Sequence, residues 1–124
     1  MSILVCVTGQ RSCERLIVTG ARLAAHGNEP LVVLHIVRAG GNVLGFVNEP
    51  EALEYLLRIS IEYHADMLVR RADDVANAIE AEAKLHGATV IVAGRAANYG
   101  GWDLLDELKG RLPDVRFEIL GATG

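Results

Sequence analysis

Short apolar runs alternate with helical patterns along the chain. Residues 3–7 (ILVCV), 30–37 (PLVVLHIV) and 88–94 (ATVIVAG) lack polar alternation, so each predicts a strand that is covered on both faces. Residues 65–72 (ADMLVRRA) form a more polar run, which favours a strand nearer an edge of the sheet. The run from Val115 to Leu120 (VRFEIL) alternates between apolar and polar residues and predicts a fifth strand.

Between these runs, apolar or small residues recur at steps of three and four positions, which is typical of one face of a helix. The expected inward faces are Cys13, Leu16, Ile17, Gly20 and Ala24 in the first helix; Leu53, Leu56, Leu57 and Ser60 in the second, which Pro50 opens; Ala76, Ile79 and Ala83 in the third; and Leu104, Leu105, Leu108 and Leu112 in the fourth, which begins near Trp102. This order predicts an α/β fold, with residues 1–124 forming a single domain in which helices cover both faces of a parallel sheet.

Polar residues and glycines mark the predicted helix ends. Ser12 is a candidate N-cap of the first helix, and Asp73 or Asp74 can cap the third. His26 and His86 each precede a glycine at the end of a helix, where the helix dipole favours a cation. We therefore interpret both histidines as capping residues, and the spacing of the histidines matches no metal site.

The composition restricts the classes of function. Hydrophobic residues make up 51% of the chain and charged residues 23%, as in a globular domain, and the net charge of −4 argues against a broad basic surface for nucleic acid. No apolar run is long enough to cross a bilayer, and no basic segment precedes the first apolar run as in a signal peptide. We expect a cytoplasmic protein with reduced cysteines, Cys6 in the core and Cys13 near the start of the first helix.

No group of residues predicts catalysis. A hydrolase would need a nucleophile with an aligned base, or a cluster of metal ligands, and capping accounts for the acidic pair at residues 73–74. We therefore do not expect an enzyme, although weak nucleotide hydrolysis is left open.

The stretch VIVAGRAANYGGWDLLDELKG, residues 90–110, has the order of a phosphate-binding loop: a strand, a glycine-containing turn and a helix. Ligands of parallel sheets bind at the carboxyl ends of the strands, where the strand order reverses. Loops 8–12, 38–45 and 94–101 are therefore the candidate site, and its candidate loop residues are Thr8, Gly9, Arg95, Gly100 and Gly101.

Each of these features also has a structural explanation. Gly100 and Gly101 can form a turn rather than a phosphate cradle, and Arg95 can be solvated rather than paired with a phosphate. Tyr99 and Trp102 can stack on a base, but we favour a contact at the edge of the core or between subunits. The loop 38–48 can be a lid over a ligand or a disordered segment, and the sequence does not separate the two.

Two long segments resemble the universal stress proteins. ILVCVTGQRSCERLIVTGARLAAHGNEPLVVLHIV is similar to the opening strand, first helix and second strand of that family, and ADDVANAIEAEAKLHGATVIVAGRA to its third helix and fourth strand. The opening also resembles the universal-stress segment of potassium-sensing histidine kinases. The resemblance implies a Rossmann-like, adenine-nucleotide alpha-hydrolase-like sheet in the order 3-2-1-4-5. It also implies a homodimer, often formed through the fifth strand, from Val115 to Leu120.

Members of this family that bind ATP carry a signature after the fourth strand: Gly, two residues, Gly, nine residues, Gly, then Ser or Thr. Gly94 matches the first glycine, but Ala97 stands at the second, and Glu107 and Leu108 stand at the final pair. Thr8 occupies the position where the nucleotide-binding members usually carry an aspartate.

Part of the family's site still matches this chain. The resemblance keeps Ile36, whose backbone would face an adenine, and Ala93 with Gly94 at the end of the fourth strand. It therefore implies a small universal-stress-type protein that acts by dimerisation and by binding a partner or ligand, without a complete ATP signature.

Two alternatives remain. The first is a switch that binds ATP, ADP or AMP, with magnesium, through the loop after the fourth strand. The second is a sensory domain related to a histidine kinase, which would recognise a small signalling ligand. A protein partner in signalling is also possible.

Overall fold

The computed structural model describes residues 1–7, 10–37, 49–94, 98–99 and 102–120. Its strands are β1 (Ser2–Val7), β2 (Leu31–Val37), β3 (Asp66–Arg71), β4 (Ala88–Gly94), β5 (Asn98–Tyr99), β6 (Trp102–Asp103) and β7 (Arg116–Leu120). Its helices are α1 (Gln10–Gly27), α2 (Glu49–Glu62), α3 (Val75–Leu85) and α4 (Leu104–Arg111).

Five strands form one parallel sheet in the order β3-β2-β1-β4-β7. β1 lies at the centre, in register with β2 on one side (Val5 opposite Val33) and with β4 on the other (Val5 opposite Val92). This is the order 3-2-1-4-5 that the family resemblance implies, and the prediction is confirmed. The polar third strand lies at an edge of the sheet, also as expected.

Alternate residues of the strands pack under different helices, because successive side chains point to opposite faces of a sheet. Ile3, Val5 and Val7 of β1 belong to a core cluster with residues of α1 and α2. Leu4 and Cys6 belong to a second cluster with residues of α3 and α4. Helices therefore cover both faces, and the strands of the centre are buried on both sides as their unbroken apolar runs predict.

The helix ends follow the predicted polar residues with one exception. Asp74, rather than Asp73, caps α3, because its carboxylate accepts a hydrogen bond from the Asn77 amide at 3.0 Å. His86 is the C-cap of α3, as expected. The predicted N-cap Ser12 is wrong, since α1 begins at Gln10 and Ser12 lies inside its first turn.

Two further expectations fail for tertiary reasons. The helical period predicts Leu57 on the inward face of α2, but its side chain is 46% exposed, while its neighbours Leu56 and Ile59 fill the core. The fourth helix begins at Leu104 instead of near Trp102, because Trp102 pairs with Tyr99 in a two-stranded antiparallel ladder, β5–β6, that the sequence does not predict. The predicted loop 38–48 lies outside the described residues.

Candidate functional site

The carboxyl edge of the sheet has its reversal point between β1 and β4. From β1 the chain proceeds to β2 and β3 on one side, then crosses to β4 and β7 on the other. A reversal of this kind leaves a crevice between the two central strands, which is the usual ligand position in open parallel sheets. β1 ends at Val7 and β4 ends at Gly94, so these residues border the crevice from its two sides.

Three predicted site residues lie at this edge. Ile36 is the second-last residue of β2, and its half-buried side chain packs against the core under α3 and α4. Ala93 is 3% exposed and belongs to the same core cluster, so only its backbone is left to face a ligand. Gly94 follows it as the last residue of β4. The structure therefore brings the ends of β2, β1 and β4 together, as the sequence predicts.

Gly94 leaves room at the end of β4. A Cβ atom built on this residue meets no atom within 4 Å in the part of the chain that the structure describes. Gly94 pairs with Leu120 of β7, which fixes its backbone. Among the described residues, nothing therefore requires glycine for packing here, and its small size is available for close approach of a ligand.

The other predicted site residues are Thr8, Gly9, Arg95, Gly100 and Gly101, and all five lie outside the described residues. Ala97, the departure at the second signature glycine, also lies outside them. Their interpretations stay predictions.

The two residues at the final pair of the ATP signature, Glu107 and Leu108, take part in packing and in an ion pair within the described structure. Leu108 is 1% exposed and packs into the core under α4. Glu107 forms an ion pair with Arg111 one helical turn further on. Since α4 begins at Leu104, Glu107 lies at the end of its first turn and Leu108 one residue beyond it, and neither side chain supplies the hydroxyl donor of the signature.

The two helices that begin near the crevice differ in charge. The first turn of α4 carries Asp106 and Glu107, whose carboxylates already compensate the positive end of the helix dipole. The first turn of α1 carries no acidic residue. The acidic residues therefore disfavour an anion at the N-terminus of α4. At the N-terminus of α1, no acidic residue of the first turn opposes an anion.

His35 is a polar residue at this edge that the sequence analysis did not single out. It lies in β2 opposite Val7, is 3% exposed, and its Nδ1 is 2.7 Å from the Val7 carbonyl oxygen. Burial lowers the pKa of the imidazole, and the hydrogen bond to Val7 opposes this in part. The signal in the sequence was a single histidine inside the apolar run LVVLHIV.

The other polar groups of the described residues do not form a metal site. Among them, no three histidine, cysteine, aspartate or glutamate side chains gather to hold a metal ion. Burial raises the pKa of the Cys6 thiol to about 12, so Cys6 is an uncharged core residue, as predicted. Within the same part of the chain, no helix is both long and apolar enough to cross a membrane.

Comparison with known proteins gives matches in structure. No protein-family model and no curated protein sequence matches the chain. A universal stress protein in complex with cAMP matches with a TM-score of 0.71 at 14% identity, over 99% of this chain and 98% of the other. A protein of the universal stress protein family from Burkholderia pseudomallei matches with a TM-score of 0.66 at 17% identity, over 96% and 95% of the two chains.

A third structure, the universal stress protein from Archaeoglobus fulgidus in complex with dAMP, matches with a TM-score of 0.61 at 18% identity, over 98% of this chain and 96% of the other. At these identities the similarity is one of fold. The chain therefore has the fold of the universal stress proteins over nearly its whole length, which confirms at that level the resemblance seen in its sequence.

Proposed function

We propose that the protein is a universal-stress-type binding protein that takes one adenine mononucleotide in the crevice between β1 and β4 and does not catalyse its turnover. The observation that carries the proposal is the match over 99% of the chain to a universal stress protein in complex with cAMP. The match to a second such protein in complex with dAMP supports the same class of ligand. Each of these nucleotides has a single phosphate group.

The charges near the crevice favour one phosphate over three. A triphosphate carries several negative charges and needs several donors, which the full signature supplies. Here Leu108 is buried, Glu107 is paired with Arg111, and the first turn of α4 is acidic. A mononucleotide needs fewer donors, and its adenine depends on the strand ends at Ile36 and Gly94, which retain the family's residues. We therefore expect AMP, dAMP or cAMP to bind more tightly than ATP, with no need for magnesium.

Thermal unfolding with and without nucleotide tests the ligand. A ligand at about 100 times its dissociation constant adds about 2.7 kcal/mol to the free energy of unfolding, which moves the midpoint of a small domain by several degrees. We expect such a shift with AMP or cAMP and a smaller one with ATP. No shift with any adenine nucleotide would refute the ligand, and release of phosphate or adenine on incubation would refute the absence of turnover.

Gly94 tests the position of the site. Gly94→Val adds a β-branched side chain that suits a strand and finds space in the described structure, so the unliganded protein should keep its thermal midpoint. Its Cγ atoms would occupy the mouth of the crevice, so the affinity for AMP in isothermal titration should fall at least tenfold. Gly110→Ala, in α4 with equal open space, is the matched control and should bind normally. Unchanged affinity in Gly94→Val would place the ligand elsewhere.

We also propose a homodimer that pairs β7 with β7 of a second copy. β7 is the edge strand beside β4, and Phe117 and Ile119 on it are only half-buried against the core. An edge strand with unpaired backbone groups and apolar side chains is a template for pairing with another chain. A cytoplasmic protein partner in signalling could use the same edge, and the dimer is the alternative that the family resemblance favours.

A thiol cross-linking experiment tests this interface. Glu118→Cys places a thiol at the middle of β7, and Asp66→Cys places one on β3 at the opposite edge as a control; both native residues are exposed or half-exposed. With a short bis-maleimide at micromolar protein, Glu118→Cys should give covalent dimers well above the background of the native protein, while Asp66→Cys should not. Equal yields for the two variants, or a monomer in sedimentation velocity, would contradict the dimer.

A further inference from the structure

His35 connects the two strand ends that border the proposed site. It lies two residues after Val33, so its side chain points to the face of the sheet that α1 and α2 cover. The hydrogen bond from His35 to the Val7 carbonyl joins β2 to the last residue of β1. Val7 directly precedes the candidate loop at Thr8, and His35 directly precedes Ile36. One buried side chain thus connects the carboxyl ends of β1 and β2, the two strands that lead to the crevice.

The partner of Nδ1 fixes the protonation of the ring. A carbonyl oxygen only accepts, so Nδ1 donates and carries the hydrogen, and the neutral ring has a lone pair at Nε2. Nε2 is buried and has no hydrogen-bond partner among the described residues. A second proton would therefore place a donor and a positive charge in an apolar cluster. A buried charge without a partner is far more costly than a buried lone pair.

We propose that His35 is an acid-sensitive positioning residue: neutral, it holds the end of β1 against β2 in the shape that binds the ligand, and protonated, it releases that end. The ligand part of this proposal rests on the proposed mononucleotide site. We call the proposed role of His35 at the end of β1 the His35 latch. The latch itself rests only on the hydrogen bond to Val7, the burial of the ring and the absence of a described partner for Nε2.

The surroundings of His35 supply little charge to stabilise an imidazolium. Its neighbours in the sheet are Val7 of β1 and Val69 of β3. The covering elements and β3 carry several titratable or charged side chains in the described residues. The exposed ones are Glu14, Arg15, Arg22 and His26 of α1, Glu54, Arg58 and Glu62 of α2, and Asp66, Arg70 and Arg71 of β3. The half-buried ones are Tyr55 and Tyr63. Within the described residues, the carboxylates in this set lie at the solvent surface, and none of them bonds Nε2.

The sign of the pH dependence follows from linkage. The pKa of His35 is lowered in the folded protein, so between that value and the unfolded value of about 6.5 the unfolded chain binds the additional proton. The contribution of His35 to stability is therefore complete above about pH 6.5 and is lost as the pH falls. Since the unfolded value is about 6.5, the folding equilibrium constant falls by at most about 30-fold between pH 8 and pH 5 through this residue.

The test compares pH profiles of stability for three proteins. His35→Asn keeps a donor near the position of Nδ1 and cannot be protonated, so between pH 8 and pH 5 it should lose less stability than the native protein, by a factor of up to about 30 in the folding constant. His64→Asn removes an exposed histidine in the same background and should follow the native profile. Identical profiles for native protein and His35→Asn would overturn the latch.

Two further measurements keep the outcomes distinct. If His35→Asn does not fold, the ¹⁵N chemical shifts of the His35 imidazole in the native protein decide. His35 should remain the neutral Nδ1–H tautomer just below pH 6.5, where an unfolded histidine is more than half protonated, and protonation of His35 at that pH would overturn the proposal.

The second measurement is the affinity of native protein and of His35→Asn for AMP at pH 7.5 and pH 5.5. A steeper loss in native protein than in His35→Asn supports coupling to the ligand, and equal losses overturn that coupling. If AMP binds at neither pH but native protein and His35→Asn still differ in the pH dependence of their stability, the proposed ligand is refuted and the role of His35 is supported.

Discussion

Gly20 allows α1 to lie close against the centre of the sheet. A Cβ atom built at Gly20 collides with Cγ2 of Val5 and lies 3.0 Å from Cδ1 of Leu31. Val5 is fully buried and Leu31 is 5% exposed, so both atoms belong to the packed core. Valine has a single strongly preferred side-chain rotamer, so Val5 has little freedom to move aside. We predict that Gly20→Ala is destabilising although Ala is the better helix former.

The magnitude comes from two opposing effects. Overpacking a dense core costs about 1–3 kcal/mol, and replacing Gly by Ala inside a helix returns about 0.5–1 kcal/mol. Gly110→Ala in α4 supplies the second effect without the first, because a Cβ there meets no described atom within 4 Å. We expect Gly20→Ala to lose about 1–2 kcal/mol and Gly110→Ala to gain about 0.5 kcal/mol. At about 3–6 °C per kcal/mol, the two thermal midpoints should differ by several degrees.

Urea unfolding followed by circular dichroism measures both variants, and an unchanged m-value shows that the comparison is of stability. A double-mutant cycle with Val5→Ala, which removes the colliding methyl group, isolates the contact. In the Val5→Ala background, Gly20→Ala should cost at least 1 kcal/mol less than in the native protein, since the two sites touch. If Gly20→Ala proves as stable as Gly110→Ala, α1 can shift without cost and the close approach does not limit the packing.

Substitutions at three further local features are tested by the same urea assay. Asp74→Ala removes the cap of α3 and should cost about 1 kcal/mol, whereas Asp73→Ala should stay within about 0.5 kcal/mol; equal losses would contradict the capping role. His64 has a φ of 58°, so His64→Gly should stabilise by about 0.5–1 kcal/mol, and a loss would show that its side chain makes a compensating contact. Glu82 is 8% exposed and its carboxylate lies 2.8 Å from Nε of Arg70. We expect Glu82→Ala to lower the free energy of unfolding by about 1–2 kcal/mol, less than for a fully buried pair because Arg70 is half-exposed. No loss of stability would mean that water replaces this ion pair.

The sequence by itself determined the fold class and the order of the elements. Unbroken apolar runs such as residues 3–7 and 88–94 require cover on both faces, and only a parallel sheet between two helical layers provides it for alternating strands and helices. The polar run at residues 65–72 could be placed at an edge because exposed positions tolerate charge. The strand order came from the resemblance to the universal stress proteins, since periodicity does not say which strands are neighbours.

Tertiary structure decided which individual residues meet. The helical period alone could not separate Leu56 from Leu57, because the orientation of α2 on the sheet sets which of two adjacent leucines is buried. The pairing of Tyr99 with Trp102 moved the start of α4 to Leu104, since local ladder bonds compete with the first helical turn.

The same limit applies to the candidate site. The sequence located the carboxyl edge and the broken signature, because both depend on residue type and spacing. The helical period already predicted Leu108 on the inward face of the fourth helix, and the structure confirms it. Only the packed structure joined His35 to Val7, since a contact between two strands 28 positions apart depends on the register of the sheet. The sequence thus predicts the edge of the sheet at which we expect a ligand, and the register and packing decided which side chains lie at that edge.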